Sequence, residues 1–131
     1  MKYLNEYTED KQTELLDRLG AFFAFSQKQF HEQRKDGEKY TSLGSGTIVP
    51  ARNAKALIDG MGKIVAEGIK EDKSDHTPEQ IIKRELANHE CFYTGDLTSA
   101  LDALDGYGFS KDKIRAVFNK EYAHACLLYT S

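Results

Sequence analysis

Two short segments gather the residue types from which a site could be built. The first is Leu43-Gly44-Ser45-Gly46-Thr47. Glycines let backbone amides approach an anion closely, as phosphate-cradling loops do. Those loops need a lysine and a helix directly after the glycines, whereas here Ile48, Val49 and Pro50 continue as strand and turn. A bulge or tight turn is therefore expected at Gly44, Ser45 and Gly46. The remaining functional reading is a ligand loop, with Arg52 and the first amides of the helix after Pro50 holding an anion.

The second segment is Asn88-His89-Glu90-Cys91-Phe92-Tyr93, closed by Thr94-Gly95-Asp96. His89 with Glu85 or Glu90 is a candidate acid and base on a nucleotide-like substrate, provided a concave pocket holds them within hydrogen-bond reach. Glu85 and His89 are four apart and share a helical face, a pairing that is more often structural. Cys91 and His89 are two apart on a helix and point to different faces, so Cys91 is expected to be a buried thiol. His31, His76, His89 and His124 are scattered without metal-ligand spacing, and neither a metal nor a cofactor is expected. Asn88, His89, Tyr93 and Asp96 stand as candidate contact residues beside Gly44, Ser45, Gly46 and Arg52, because polar, glycine-spaced loops commonly carry function.

Local signals place these segments among helices and strands. Leu15, Leu16 and Leu19 have helical spacing, and Gly20 sits where a helix end favours a left-handed residue. Ala21 to Phe25 is a short apolar run without helical period, which predicts a buried strand. Ser26 and Gln29 form a capping pair for a helix over 27–35. Arg34 to Ser42 reads as a polar loop, and Leu43 to Val49 as a second strand interrupted by glycines. Ala54, Leu57, Ile58, Met61, Ile64, Val65 and Ile69 lie on one helical stripe. Gly60, Gly62 and Gly68 fall inside that helix and suggest close packing. Lys70 to His76 reads as a charged connector. Thr77-Pro78-Glu79-Gln80 is the strongest helix start in the chain. Its helix carries Ile81, Ile82 and Leu86 to a break at Tyr93 to Asp96. Asp96 and Ser110 then cap two last helices, a C-terminal helical hairpin.

The second hairpin helix carries Lys111, Lys113, Arg115 and Lys120, but Asp112 and Glu121 dilute that patch and the preceding helix is acidic. A solvated helix face is the reading, and nucleic acid is not an expected partner. The aromatic residues are read as mainly core, with Tyr40, Tyr93 and Tyr107 beside glycines able to anchor a partner.

The chain of 131 residues has 40% hydrophobic and 30% charged residues and a net charge of −3. That suits one globular domain and gives no overall attraction to phosphate or an anionic bilayer. No apolar stretch approaches the roughly 18 residues of a membrane span, and the amino-terminal MKYLNEYTEDKQ is charged where a signal peptide is apolar. A cytoplasmic setting is expected. Cys91 and Cys126 are read as free thiols. Cys126 to Ser131 reads CLLYTS, the translation of a transposon-end sequencing adapter (TGT CTC TTA TAC ACA TCT). Residues 126–131 are accordingly expected to be adapter read-through on a metagenomic fragment, with the domain occupying 1–125.

At GAFFAFSQKQFHE, at SLGSGTIVP followed by Asn53-Ala54, at IIKRELANHECFYTGD and at ALDGYGFSKDKIRAVF, the sequence resembles a family of short uncharacterised proteins of bacteriophages and mobile elements of gut bacteria. The resemblance covers about residues 12 to 120. It carries no reaction onto any residue and implies a genomic setting in which small accessory proteins bind host or phage components, elements of antiviral defence among them.

These readings combine into an α+β domain of about five helices packed on a small two- or three-stranded sheet. The expected function is that of a non-enzymatic binding protein, a phage or mobile-element accessory taking a protein or small nucleotide. An oligomer is compatible with the pattern, since a two-stranded sheet alone is marginal. The alternative is the small enzyme built on His89.

Overall fold

The computed structural model describes residues 2–130 and the side chains of residues 2–123. The adapter reading of Cys126 to Ser131 lies outside the described side chains. The order of elements is α1 (Leu4–Arg18), β1 (Phe22–Phe23), α2 (Gln27–Gln33), β2 (Tyr40–Ser42), β3 (Thr47–Pro50), a 3-10 turn (Ala51–Asn53), α3 (Ala54–Asp75), α4 (Pro78–Asn88), α5 (Cys91–Thr94), α6 (Thr98–Ala103) and α7 (Lys111–Thr130). The architecture is α+β, with seven α-helices and one three-stranded antiparallel sheet among the described residues. None of these helices is long and apolar enough to cross a membrane. The chain divides into two compact units: Leu4–Gly68, and Ile69 onward together with the first three residues.

In the first unit α1 ends as its sequence dictates. Gly20 takes φ +74°, its amide bonds the Asp17 carbonyl at 3.2 Å, and the Ala21 amide reaches the Leu16 carbonyl at 2.9 Å. That pair of bonds is the Schellman ending, in which a left-handed residue satisfies the last carbonyls. The sheet has the order β1-β3-β2. Its register sets Phe22 opposite Ile48 and Ile48 opposite Ser42, with Thr41 opposite Val49 and Tyr40 opposite Pro50. Directly opposed residues share a face, so Phe22, Ile48, Ser42 and Tyr40 point one way and Val49 the other. On the first face Phe30 of α2 completes an aromatic triangle, 6.3 Å from Phe22 and 5.8 Å from Tyr40 between ring centres. On the second, Val49 packs with Leu15 of α1 and Leu57 of α3. The sheet is thus a layer between α2 and the α1/α3 pair.

Three local expectations need correction here. Arg34 to Ser42 is not wholly loop, because Tyr40 to Ser42 is a strand whose polar edge positions mask the period-two signal. Phe23 and Phe25 are not buried: β1 is two residues long, and these side chains are 51% and 75% exposed. Ile58 leaves the apolar stripe of α3 and is also exposed.

The second unit is built around α4. Thr77 accepts from the Gln80 amide at 3.2 Å while the Gln80 side chain accepts from the Thr77 amide at 2.9 Å, the reciprocal cap its sequence predicts. Ile81, Ile82 and Leu86 have no exposure, and α5, α6 and α7 all rest on this helix. Ser110 caps α7 through the Lys113 amide at 3.1 Å. Lys70 to Asp75 is helical rather than a connector, for a reason given by Asp72 below.

The glycines of α3 separate into two kinds. A Cβ at Gly68 would lie 2.6 Å from Thr8 Cγ2 and one at Gly60 2.7 Å from Leu15 Cδ2, whereas Gly62 opens on free space. Close approach of α1 requires the first two and not the third. Gly62→Ala is therefore expected to stabilise by about 0.5–1 kcal/mol through helix propensity. Gly68→Ala should cost about 1–3 kcal/mol in overpacking strain. Urea denaturation of both variants checks the pair, and equal upward shifts would contradict the packing.

Candidate functional site

Gly44, Ser45 and Gly46 form the turn joining β2 to β3, with φ of +91°, +52° and +78°. Three consecutive left-handed residues explain the glycines, and Ser45 occupies a region that few side chains adopt. The Leu43 amide bonds the Thr47 carbonyl at 2.9 Å and the Thr47 amide the Gly44 carbonyl at 3.0 Å, closing the turn. The Phe25 ring lies on Gly46 so closely that a Cβ there would overlap it.

Next to this turn is a cleft of about 480 Å³, walled by Phe25, Phe30, Tyr40 and Ile48 with the hydroxyl-bearing Ser26, Thr41 and Ser42. Phe23, Phe25 and Leu43 are all exposed large apolar side chains at this end of the sheet. Phe23 is opposite Thr47, and Leu43 bonds Thr47 from the other side, so the three surround the turn. Arg52 is not brought to the turn. It follows the far end of β3, about 13 Å along a four-residue strand, and its Nε donates to Glu38 Oε1 at 2.9 Å.

Asn88, His89, Tyr93 and Asp96 fall in the second unit. Asn88 ends α4, and the chain breaks at Glu90 with φ +56° before α5. His89 Nε2 stands 3.9 Å from Glu85 Oε1, beyond hydrogen-bond reach, while Glu85 Oε2 accepts from Arg84 Nε at 2.8 Å. Glu85 is thus shared between Arg84 and His89, with a hydrogen bond to the first only, and Glu90, the other candidate carboxylate, sits at the left-handed break. Cys91 is fully buried, as its residue type predicts, although the break at Glu90 separates it from the helix that leads to His89, and burial pushes its thiol up. Asp96 accepts from the Thr98 amide at 2.9 Å, which holds its carboxyl below the usual range. Tyr93 is 90% exposed.

The densest chemistry in the second unit involves residues that sequence reasoning passed over. Asp72, with no exposure, accepts from Arg84 Nη1 at 2.9 Å and Nη2 at 2.8 Å. It also accepts from the Tyr107 hydroxyl at 2.6 Å, and its Oδ1 is 2.9 Å from His76 Nδ1. Arg84 Nη1 donates in addition to the Lys2 carbonyl at 2.9 Å, and Lys73 Nζ to the Tyr107 carbonyl at 2.7 Å. Burial pushes the Asp72 carboxyl up, but the bonds from Arg84, Tyr107 and His76 outweigh it and hold the group below its ordinary 3.8. Burial and the neighbouring carboxylate both raise the Tyr107 hydroxyl. These bonds tie the end of α3 to α4 and to the Gly106–Gly108 turn. The one visible signal was Arg84 inside the apolar run of α4, since a buried arginine needs a carboxylate.

The chain belongs to a family of unknown function (DUF7659), which matches residues 4–126. No curated protein and no solved structure matches it.

Asp72→Asn leaves the Arg84 guanidinium buried with its main partner gone and should cost about 3–5 kcal/mol. Tyr107→Phe should cost about 1–2 kcal/mol. Because folded Asp72 titrates below its unfolded value of 3.8, its stabilisation is complete above that value and is lost as pH falls through the lower folded one. Urea melts at a series of acid pH values should show a flatter acid limb for Asp72→Asn, and an unchanged limb would contradict the assignment.

Proposed function

We propose that the chain is a non-enzymatic binding protein that docks a protein partner on the open end of its sheet, around the Gly44–Gly46 turn. In this reading it acts in the bacterial cytoplasm as an accessory of a phage or mobile element. The observation that carries it is exposed Phe25, which lies on the turn and walls the cleft, with Phe23 and Leu43 exposed on the opposite face of the same end of the sheet. Clustered exposed aromatics of this kind act as anchors that fill pockets on a partner. A protein fits better than a nucleotide, because no lysine or arginine is in the wall of the cleft to meet a phosphate.

The enzyme built on His89 draws less support. Of its two candidate carboxylates, Glu85 is bound to Arg84 and Glu90 follows His89 at a left-handed break in the backbone.

A photo-cross-linking residue at Phe25 should give a discrete adduct in bacterial lysate that the same residue at Ile58 does not give. Ser42→Arg, which fills the cleft from an exposed wall position, should abolish that adduct in the Phe25 cross-linker background while changing stability by no more than about 0.5 kcal/mol. Equal adducts from Phe25 and Ile58, or an adduct indifferent to Ser42→Arg, would overturn the reading. So would a rise in melting temperature with cyclic or linear nucleotides that Phe25→Ser abolishes.

A further inference from the structure

The partner's chemistry is written in the edge of the sheet. β2 is an edge strand, paired on one side only with β3. The Leu43 amide bonds the Thr47 carbonyl and the Ala51 amide bonds the Lys39 carbonyl. In an antiparallel ladder bonded pairs alternate, so Leu43, Thr41 and Lys39 turn their backbone groups toward β3. Tyr40 and Ser42 turn theirs outward. The opposite edge is treated differently: at β1 the outward Phe23 carbonyl is closed by Gln33 Nε2 at 2.9 Å.

The open edge borders the cleft, since Tyr40, Thr41 and Ser42 form one wall of it. It also lies in a stretch with a small excess of cations. Between Gln27 and Ser42 the cations are Lys28, Arg34, Lys35 and Lys39, against Glu32, Asp36 and Glu38, and Glu38 is taken by Arg52. One of these cations, and the backbone of a second, are placed beside the cleft. The Arg34 guanidinium stands 5.6 Å over the Phe30 ring, and the Lys35 amide bonds the Tyr40 hydroxyl at 3.0 Å. By contrast α1 carries Glu6, Glu9, Asp10, Glu14 and Asp17 against Lys11 alone before Arg18. The start of α3 and the turn before it have Arg52, Lys55 and Lys63 against Asp59, but Arg52 pairs with Glu38 and Lys55 with Asp59, so the excess of cations outside these ion pairs falls on the edge.

We propose that an extended, acidic peptide segment of a partner protein adds as a fourth strand along β2 and seats one bulky apolar side chain in the cleft between Phe25, Phe30 and Ile48. This rests on the docking reading above and specifies it. Backbone bonds to Tyr40 and Ser42 supply affinity, the cleft selects the anchor, and the basic stretch selects for flanking carboxylates.

The test is selection of a displayed library of random linear peptides against the full chain, followed by fluorescence anisotropy of the consensus peptide. The expected consensus has several Asp or Glu around a single bulky apolar residue. N-methylation of its backbone at alternate residues, those facing β2, should weaken binding by about tenfold or more, while methylation at the intervening residues should not. Ser42→Pro, which removes an outward donor, and Arg34→Glu with Lys35→Glu should each weaken binding similarly. A consensus without acidic bias, a helical consensus, no enrichment, or indifference to the methylation pattern would overturn the proposal. Binding lost on Phe25→Ser but insensitive to methylation refutes strand addition and leaves the docking surface standing. Binding insensitive to both refutes both.

Discussion

Asp72 carries a carboxylate into a place with no solvent exposure, where an unpaired charge would cost several kcal/mol. The second unit is organised around meeting that requirement. Arg84 grips the carboxylate with two nitrogens from α4, and Tyr107 reaches it from the turn between α6 and α7. His76 meets it from just beyond the end of α3. The arginine in turn spends its remaining donors on Glu85 and the Lys2 carbonyl. One buried charge therefore fixes α3, α4, the Gly106–Gly108 turn and the amino-terminal segment in a single bonded set.

The first unit is held by different means. Its core is apolar, with Val49, Leu15 and Leu57 meeting on one face of the sheet and the aromatic triangle on the other. On the β1 edge Gln33 closes the Phe23 carbonyl and Gln29 the Phe25 amide, whereas on the β2 edge the Tyr40 and Ser42 backbone groups have no hydrogen-bond partner among the described residues. Exposed Phe25 held against Gly46 adds an ordered apolar surface beside that open edge. A rigid anchor next to unused hydrogen-bonding groups has little entropy left to lose on association, which is why the functional reading rests here and not on the saturated cluster around Asp72.

Much of the scaffold was legible in the sequence because its signals are local. The caps at Thr77 and Ser110, the left-handed stop at Gly20 and the buried thiol of Cys91 follow from residue type and short spacing. The three-stranded option for the sheet was open, but β2 was hidden, because a polar edge strand alternates without apolar contrast. The exposure of Phe23 and Phe25 was also hidden. An apolar run of five reads as core, and only the shortness of β1 and the ring's seat on Gly46 turn it outward. Asp72 and Tyr107 are 35 residues apart, a pairing that no local period reveals. In the candidate site, the turn at Gly44–Gly46 was visible from its glycines. Its separation from Arg52 needed the length of β3.

An open β2 edge requires amides that alternate between protected and free. Residue-resolved amide hydrogen exchange by NMR measures this alternation directly. Slow exchange is expected at Thr41, whose amide faces β3, with fast exchange at Tyr40 and Ser42 on either side, against slow exchange through Ile82 to Leu86 of α4. Protection at Tyr40 and Ser42 equal to that at Thr41 would show the edge already covered and would contradict the claim that this strand is open for a partner.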